Sequence, residues 1–172
     1  MTPTGVRRQS SAANKAPAPD VRVQVQRAAG RRGVPRNADF TSWVVAALKG
    51  ARRLLEPLAV TLRVVDAGEM RLLNQAYRDR DYATNVLSFP ETEMVGVVLA
   101  RRPLGDIVLC TEVLLREAAE QAKPAAAHWA HLTVHGVLHL LAYDHERQRD
   151  AAVMEALERQ ILRRLGVADP YR

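Results

Sequence analysis

Val21, Val23 and Val25 alternate with Arg22, Gln24 and Gln26, the two-residue period of a strand buried on one face. Gly30 to Pro35 reads as a loop. From Asn37, a residue suited to an N-cap, the period changes to that of a helix, with Phe40, Val44, Ala47, Leu48 and Ala51 inward. That helix is expected to reach about Leu55, ahead of Pro57. Leu58 to Val65 reads as a second strand. Asp66 and Glu69 have capping-box spacing and open a helix with Met70, Leu73 and Tyr77 on one stripe, ending near Arg78. After the charged loop Asp79-Arg80-Asp81, Val86 to Phe89 forms a short strand stopped by Pro90. Glu91 to Pro103 is expected to be a loop or hairpin around Gly96, with Asp106 after Gly105 fixing a turn. Leu104 to Cys110 reads as a buried strand, and Thr111 is placed to cap a helix to about Ala122. Lys123-Pro124 breaks that helix and starts the next, with Pro suited to a first turn. A last helix runs from Glu146 to Leu165, striped by Val153, Leu157 and Ile161 and stopped by Gly166. Strands and helices mix without strict alternation, so the expected class is α+β, a mixed sheet of four or five strands with packed helices.

Residues 1–20 are rich in Ser, Ala, Pro and Thr and have no period. They are expected to be disordered, leaving 21–172 as a single domain. The 172 residues suffice for one domain with a real core. The net charge of +6 is unevenly placed. Residues 1–36 hold eight basic residues and one acid, while the remainder holds 17 basic and 18 acidic ones. The body is therefore not a broad basic patch. A basic N-terminal arm would suit RNA phosphates, or be a solvated leader without a partner. The single cysteine, Cys110, excludes an internal disulfide and fits a reducing cytosol. The first twenty residues lack the apolar core of a signal peptide, and no apolar run is long enough to span a membrane, so a cytoplasmic location is expected.

The chemistry concentrates at His135-Gly136-Val137-Leu138-His139-Leu140-Leu141-Ala142-Tyr143-Asp144-His145, three histidines in eleven residues. His135 and His139 are four apart and share one helical face, the spacing two imidazoles need to reach one metal ion. His145 needs a turn after Leu141 to swing back as a third ligand. Three imidazoles with an open position make a catalytic site, and zinc is the first choice, although nickel, copper or iron also suit imidazole. Such a zinc lowers the pKa of water to about 7. The spacing equals that of the metzincin protease motif, H-E-x-x-H-x-x-G-x-x-H. Gly136, however, stands where those proteases carry their general-base Glu, and Ala142 where they carry Gly. His131, one turn earlier, is a candidate partner of a ligand or proton shuttle, or else a partly buried helix histidine. Asp144 is placed either to hold a ligand imidazole's second N–H or to cap the following helix.

The run from His131 to His145 resembles the signature of the YbeY family of bacterial rRNA-maturation endoribonucleases, H-G-x-L-H-L-x-G-Y-D-H, from which only Ala142 departs. Leu73-Asn74-Gln75-Ala76-Tyr77-Arg78, Thr84-Asn85-Val86-Leu87-Ser88-Phe89-Pro90 and Leu104-Gly105-Asp106-Ile107 resemble that family as well. The likeness covers about residues 55 to 170. It implies a zinc-dependent endoribonuclease acting on single-stranded rRNA, in 16S 3′-end maturation and ribosome quality control. Its partners would be rRNA and the small subunit or the 70S ribosome, with one Zn2+ per chain on His135, His139 and His145. On its residues alone Arg78 is a surface arginine at a helix C-terminus. The resemblance implies a functional arginine there, one that would pair phosphate oxygens. Asn85 and Ser88 would line the substrate groove. Two other readings remain: a zincin-type metallopeptidase, and a non-catalytic ribosome-assembly factor whose zinc fastens the fold.

Overall fold

Among the described residues four strands form one sheet. The computed structural model describes residues 20–54, 56–92, 99–143 and 148–171. In chain order these are β1 (Val21–Arg27), α1 (Asn37–Gly50), β2 (Leu58–Val65), α2 (Ala67–Arg78), β3 (Val86–Pro90), β4 (Arg102–Cys110), α3 (Thr111–Glu120), α4 (Ala125–Leu140) and α5 (Gln148–Arg164). β1 and β4 pair parallel with β2, and β3 pairs antiparallel with β4 along the edge. The fold is α+β with a mixed sheet, as the pattern implies.

Strand alternation sends residues to two different neighbourhoods. Leu58, Val60, Leu62 and Val64 of β2 join Ile107 and Leu109 of β4 beneath Phe40 and Val44 of α1, Trp129 and Val137 of α4, and Ile161 of α5. On the other face Val108 and Cys110 pack with Leu87 of β3, Met70 of α2 and Val113 of α3. Of this second face only one end is sealed by apolar residues. The rest carries Gln26, Thr61, Arg63 and Asp106, which line an open cavity beside α2.

Several local expectations give way to particular contacts. α1 ends at Gly50, short of Leu55, because Arg52 turns left-handed (φ 55°) and Arg53 N–H bonds back to Leu48 O at 2.9 Å. Arg36, not Asn37, is its N-cap, held by Asp39. Asp66 does cap α2, accepting from Glu69 N at 2.8 Å, but the Glu69 carboxylate bonds Arg63 at 2.7 Å instead of closing the box. Thr111 does not cap α3; Cys110 holds that position, and the Thr111 hydroxyl has no hydrogen-bond partner among the described residues. Pro124 is the N-cap of α4. β4 begins at Arg102, so Gly105 and Asp106 lie inside the strand and not in a turn before it. Gly105 (φ 130°) is required there, since a Cβ would lie 2.1 Å from Phe89 O of the neighbouring strand. In α5 the buried residues are Met154, Glu158, Ile161 and Leu162, whereas Val153 is 58% exposed. Tyr77, expected to face inward, is 61% exposed. The expected disorder of 1–20 falls, except for Asp20, outside the described residues, as does the turn around Gly96.

α4 lies close to the sheet through Gly136. A Cβ there would meet Ile107 Cγ2 at 2.7 Å and Ser88 Oγ at 3.3 Å. Ser88 Oγ donates to Gly136 O at 3.2 Å across the same contact. Overpacking of this kind costs about 1–3 kcal/mol, more than the roughly 1 kcal/mol that Ala gains over Gly in a helix. Gly136→Ala should therefore lower the urea unfolding midpoint. An unchanged midpoint would mean that Ile107 turns aside without cost.

The end of α4 is set by Ala142, whose φ of 62° is left-handed. Ala142 N–H bonds His139 O at 3.0 Å and Tyr143 N–H bonds Leu138 O at 3.0 Å, the paired bonds of a Schellman stop. So the turn that glycine favours forms with alanine in place. A residue with a Cβ pays about 1–2 kcal/mol in this region, against about 0.5–1 kcal/mol of extra chain entropy lost by glycine. Ala142→Gly should stabilise the fold by about 0.5–1 kcal/mol in urea melts. A destabilised variant would contradict the left-handed assignment.

Candidate metal centre and substrate groove

His131, His135 and His139 fall four residues apart on α4, along the stripe turned away from the sheet. α5 brings Glu158 behind them. Its side chain is fully buried, yet it has three partners. Glu158 Oε1 lies 2.7 Å from His135 Nδ1, Oε2 accepts a short hydrogen bond from the Tyr171 hydroxyl, and His131 Nε2 stands 3.5 Å from Oε2. Burial pushes the Glu158 pKa up, but the nearby His131 imidazole and the hydrogen bonds from His135 and Tyr171 outweigh it and hold it at about 2. Burial, then the adjacent carboxylate, push the Tyr171 phenol above its usual range, so it remains a donor. The 3.5 Å contact is too long for a hydrogen bond, and His131 Nε2 has no hydrogen-bond partner among the described residues.

This arrangement fixes a tautomer. An ionised carboxylate only accepts, so His135 Nδ1 carries the proton. In the neutral ring Nε2 then presents its lone pair. Nε2 faces His139 Nε2 at 3.0 Å, in a groove of about 590 Å3. Two imidazole nitrogens converging beside an open groove, one of them backed by a carboxylate, fit a metal ion's needs. A second grouping, His131 Nε2, His135 Nδ1 and Glu158, also brings potential ligand atoms within 4.8 Å of one another. There, however, the carboxylate has no exposed surface and is covered by Tyr171.

The groove gathers Arg78, Asn85 and Ser88 opposite His135 and His139. Arg78, at the C-terminal end of α2, donates to Ser88 O at 3.4 Å, a long bond that a substrate oxygen can outcompete. Asn85 is tied down: its amide donates to Glu117 at 3.0 and 3.2 Å, and Glu117 meets His128 Nε2 at 2.8 Å. Its side chain therefore braces the loop before β3. His131 is not in the groove; it lines a separate cavity with Lys123, His128 and Asp169. His145 and Asp144 lie outside the described residues. Glu158 escaped the sequence reading, although a glutamate in the buried register of an amphipathic helix was a signal that could have found it.

The model of the family described as Endoribonuclease YbeY matches residues 26–166. The chain belongs to that family. A relative named Endoribonuclease YbeY from Alkalilimnicola ehrlichii is 54% identical over 163 residues, covering 95% of this chain and 97% of the relative. One of the same name from Stenotrophomonas maltophilia (strain R551-3) is 52% identical over 151 residues, covering 87% and 92%. The solution structure of TM1509 from Thermotoga maritima has the same fold, with a TM-score of 0.54 at 20% identity over 88% of this chain and 99% of that one. The family match begins at residue 26, so the likeness extends well before residue 55, through α1 and into β1. Among the described residues no helix is long and apolar enough to cross a membrane.

Proposed function

We propose that this chain is a zinc-dependent endoribonuclease that cuts single-stranded rRNA, in 16S 3′-end maturation and ribosome quality control in the cytoplasm. The observation that carries this reading is one groove holding both the converging nitrogens of His135 and His139 and the guanidinium of Arg78, in a member of an endoribonuclease family. His135, His139 and His145 are the proposed ligands of one zinc ion. When bound, zinc supplies Lewis acidity at a phosphate oxygen and lowers the pKa of water to about 7. Glu158 holds the His135 ring in the ligating tautomer, and Arg78 steadies charge on the phosphate. His131 acts at one remove, through Glu158. The RNA and the ribosome, as small subunit or 70S particle, are the proposed partners.

Against the peptidase reading, Gly136 stands where a zincin carries its general-base glutamate, and a Cβ there would meet Ile107 Cγ2 at 2.7 Å, so a larger residue would have to displace Ile107. The test is a paired assay on a short rRNA 3′-end oligonucleotide and on casein, each with and without chelator. RNA cleavage that the chelator abolishes is expected, with casein untouched. Casein hydrolysis, or RNA cleavage indifferent to the chelator, would sink the proposal.

Glu158→Gln tests the carboxylate behind His135. Partners of this kind are worth about 10–100-fold in metal affinity. Chelator competition should show zinc held at least about tenfold more weakly, with the thermal transition of the zinc-free protein reported alongside to separate folding from ligation. Unchanged zinc affinity would remove Glu158 from the site.

A further inference from the structure

The groove uses one face of β3, and the other face holds a feature the proposed reaction leaves unused. We propose that the cavity between α2 and the open sheet face is a pocket for one unpaired nucleobase of the bound RNA, next to the phosphate at Arg78. This rests on the endoribonuclease reading and deepens it. The cavity measures about 450 Å3, and Tyr77 and Phe89 line one side of it. The two rings meet edge to face at 5.0 Å, which fixes the tyrosine while leaving it 61% exposed. An aromatic ring pinned on one side and bare on the other is a stacking platform, and base stacking tolerates any sequence.

The charges on the floor point to a base and not to a second phosphate. Arg63 is already engaged by Glu69 at 2.7 Å and Gln26 at 3.1 Å. Asp106 also lines the cavity, and no hydrogen bond or ion pair is formed by its carboxylate among the described residues. A bare carboxylate repels phosphate but accepts from the N–H groups of a base edge. Guanine offers two such groups side by side, whereas the N3–H of uracil is flanked by carbonyls that the carboxylate repels. Thr61 supplies a further polar contact on the floor.

Continuity with the groove decides the occupant. Tyr77 and Arg78 are consecutive, their Cα atoms about 3.8 Å apart. Phe89 lies between Ser88 and Pro90, both of which line the groove. A single strand with a phosphate at Arg78 therefore brings a neighbouring base to Tyr77, over the edge formed by β3.

The test uses the full chain and a short single-stranded RNA whose nucleotides flanking the cleaved bond are, in turn, intact and abasic. Binding is read by fluorescence anisotropy and cleavage by KM. For the wild-type chain one of the two abasic positions should weaken binding and raise KM by roughly tenfold, the scale of one lost stacking contact. Tyr77→Ala should bind intact and abasic RNA alike, while Tyr77→Phe keeps the difference. Guanine at that position should bind more tightly than uracil, and Asp106→Asn should remove that preference. If the wild-type chain cleaves intact and abasic RNA with the same KM, the pocket is overturned and the endoribonuclease reading stands. If it neither binds nor cleaves any of these RNAs, both fall. Discrimination retained by Tyr77→Ala overturns the pocket, and equal binding of guanine and uracil overturns the role of Asp106.

Discussion

His139→Ala is expected to purify with almost no zinc, where the wild type is expected to hold about one per chain, and to lose RNA cleavage with it. The reasoning is geometric. His139 Nε2 and His135 Nε2 converge at 3.0 Å, so removing one imidazole takes away a donor that nothing on α4 replaces. If three imidazoles hold the ion as proposed, a site reduced to two no longer competes with chelators and buffer for zinc. The fold should survive, since the histidine sits on the face of α4 turned from the sheet core. His131→Ala is the informative companion. Its ring lines a different cavity, with Nε2 3.5 Å from Glu158 Oε2, and zinc content should stay near one per chain. Metal content is read by mass spectrometry on the desalted proteins. Full zinc in His139→Ala, or loss of it in His131→Ala, would reverse the ligand assignment.

Arg78→Lys should cut the rate of RNA cleavage by roughly 10²-fold or more, the scale of one lost oxyanion donor. Charge is kept, but the planar fork that engages two oxygens together is lost. The guanidinium enters the groove opposite the histidines and, among the described residues, is held only by the 3.4 Å bond to Ser88 O. Zinc content should not change, because no ligand is touched. Stability should change little, because a lysine at the end of α2 keeps the favourable interaction with the helix dipole. Single-turnover cleavage separates this from weaker binding. A lysine variant cutting at the wild-type rate would remove Arg78 from the chemistry.

What the sequence made legible follows from how each signal arises. Strand alternation in Val21 to Gln26 and the spacing of His135 and His139 are local geometry, so the strand and the paired imidazoles appeared where expected. The end of α1 was not legible, because Arg52 carries no mark of a left-handed stop. In α5 the periodic signal placed Leu157 and Ile161 against the core but misplaced Val153, which is exposed. Glu158 occupies a buried position, and a charged residue there hid the inward register of Met154 and Leu162 and left Val153 in its place. The buried carboxylate is bound by His135 of α4 and by Tyr171 beyond the end of α5, partners that the pattern of α5 itself does not report. Gly105 has the same character. Its necessity comes from the backbone of a neighbouring strand, which no local pattern reports.

The ion on which cleavage depends is expected on the groove side of His135. Anomalous diffraction at the zinc edge from crystals of the purified protein tests it most directly. One peak is expected, about 2.0–2.1 Å from both His135 Nε2 and His139 Nε2, with Glu158 still bonded to His135 Nδ1. A peak between His131, His135 Nδ1 and Glu158 would contradict it.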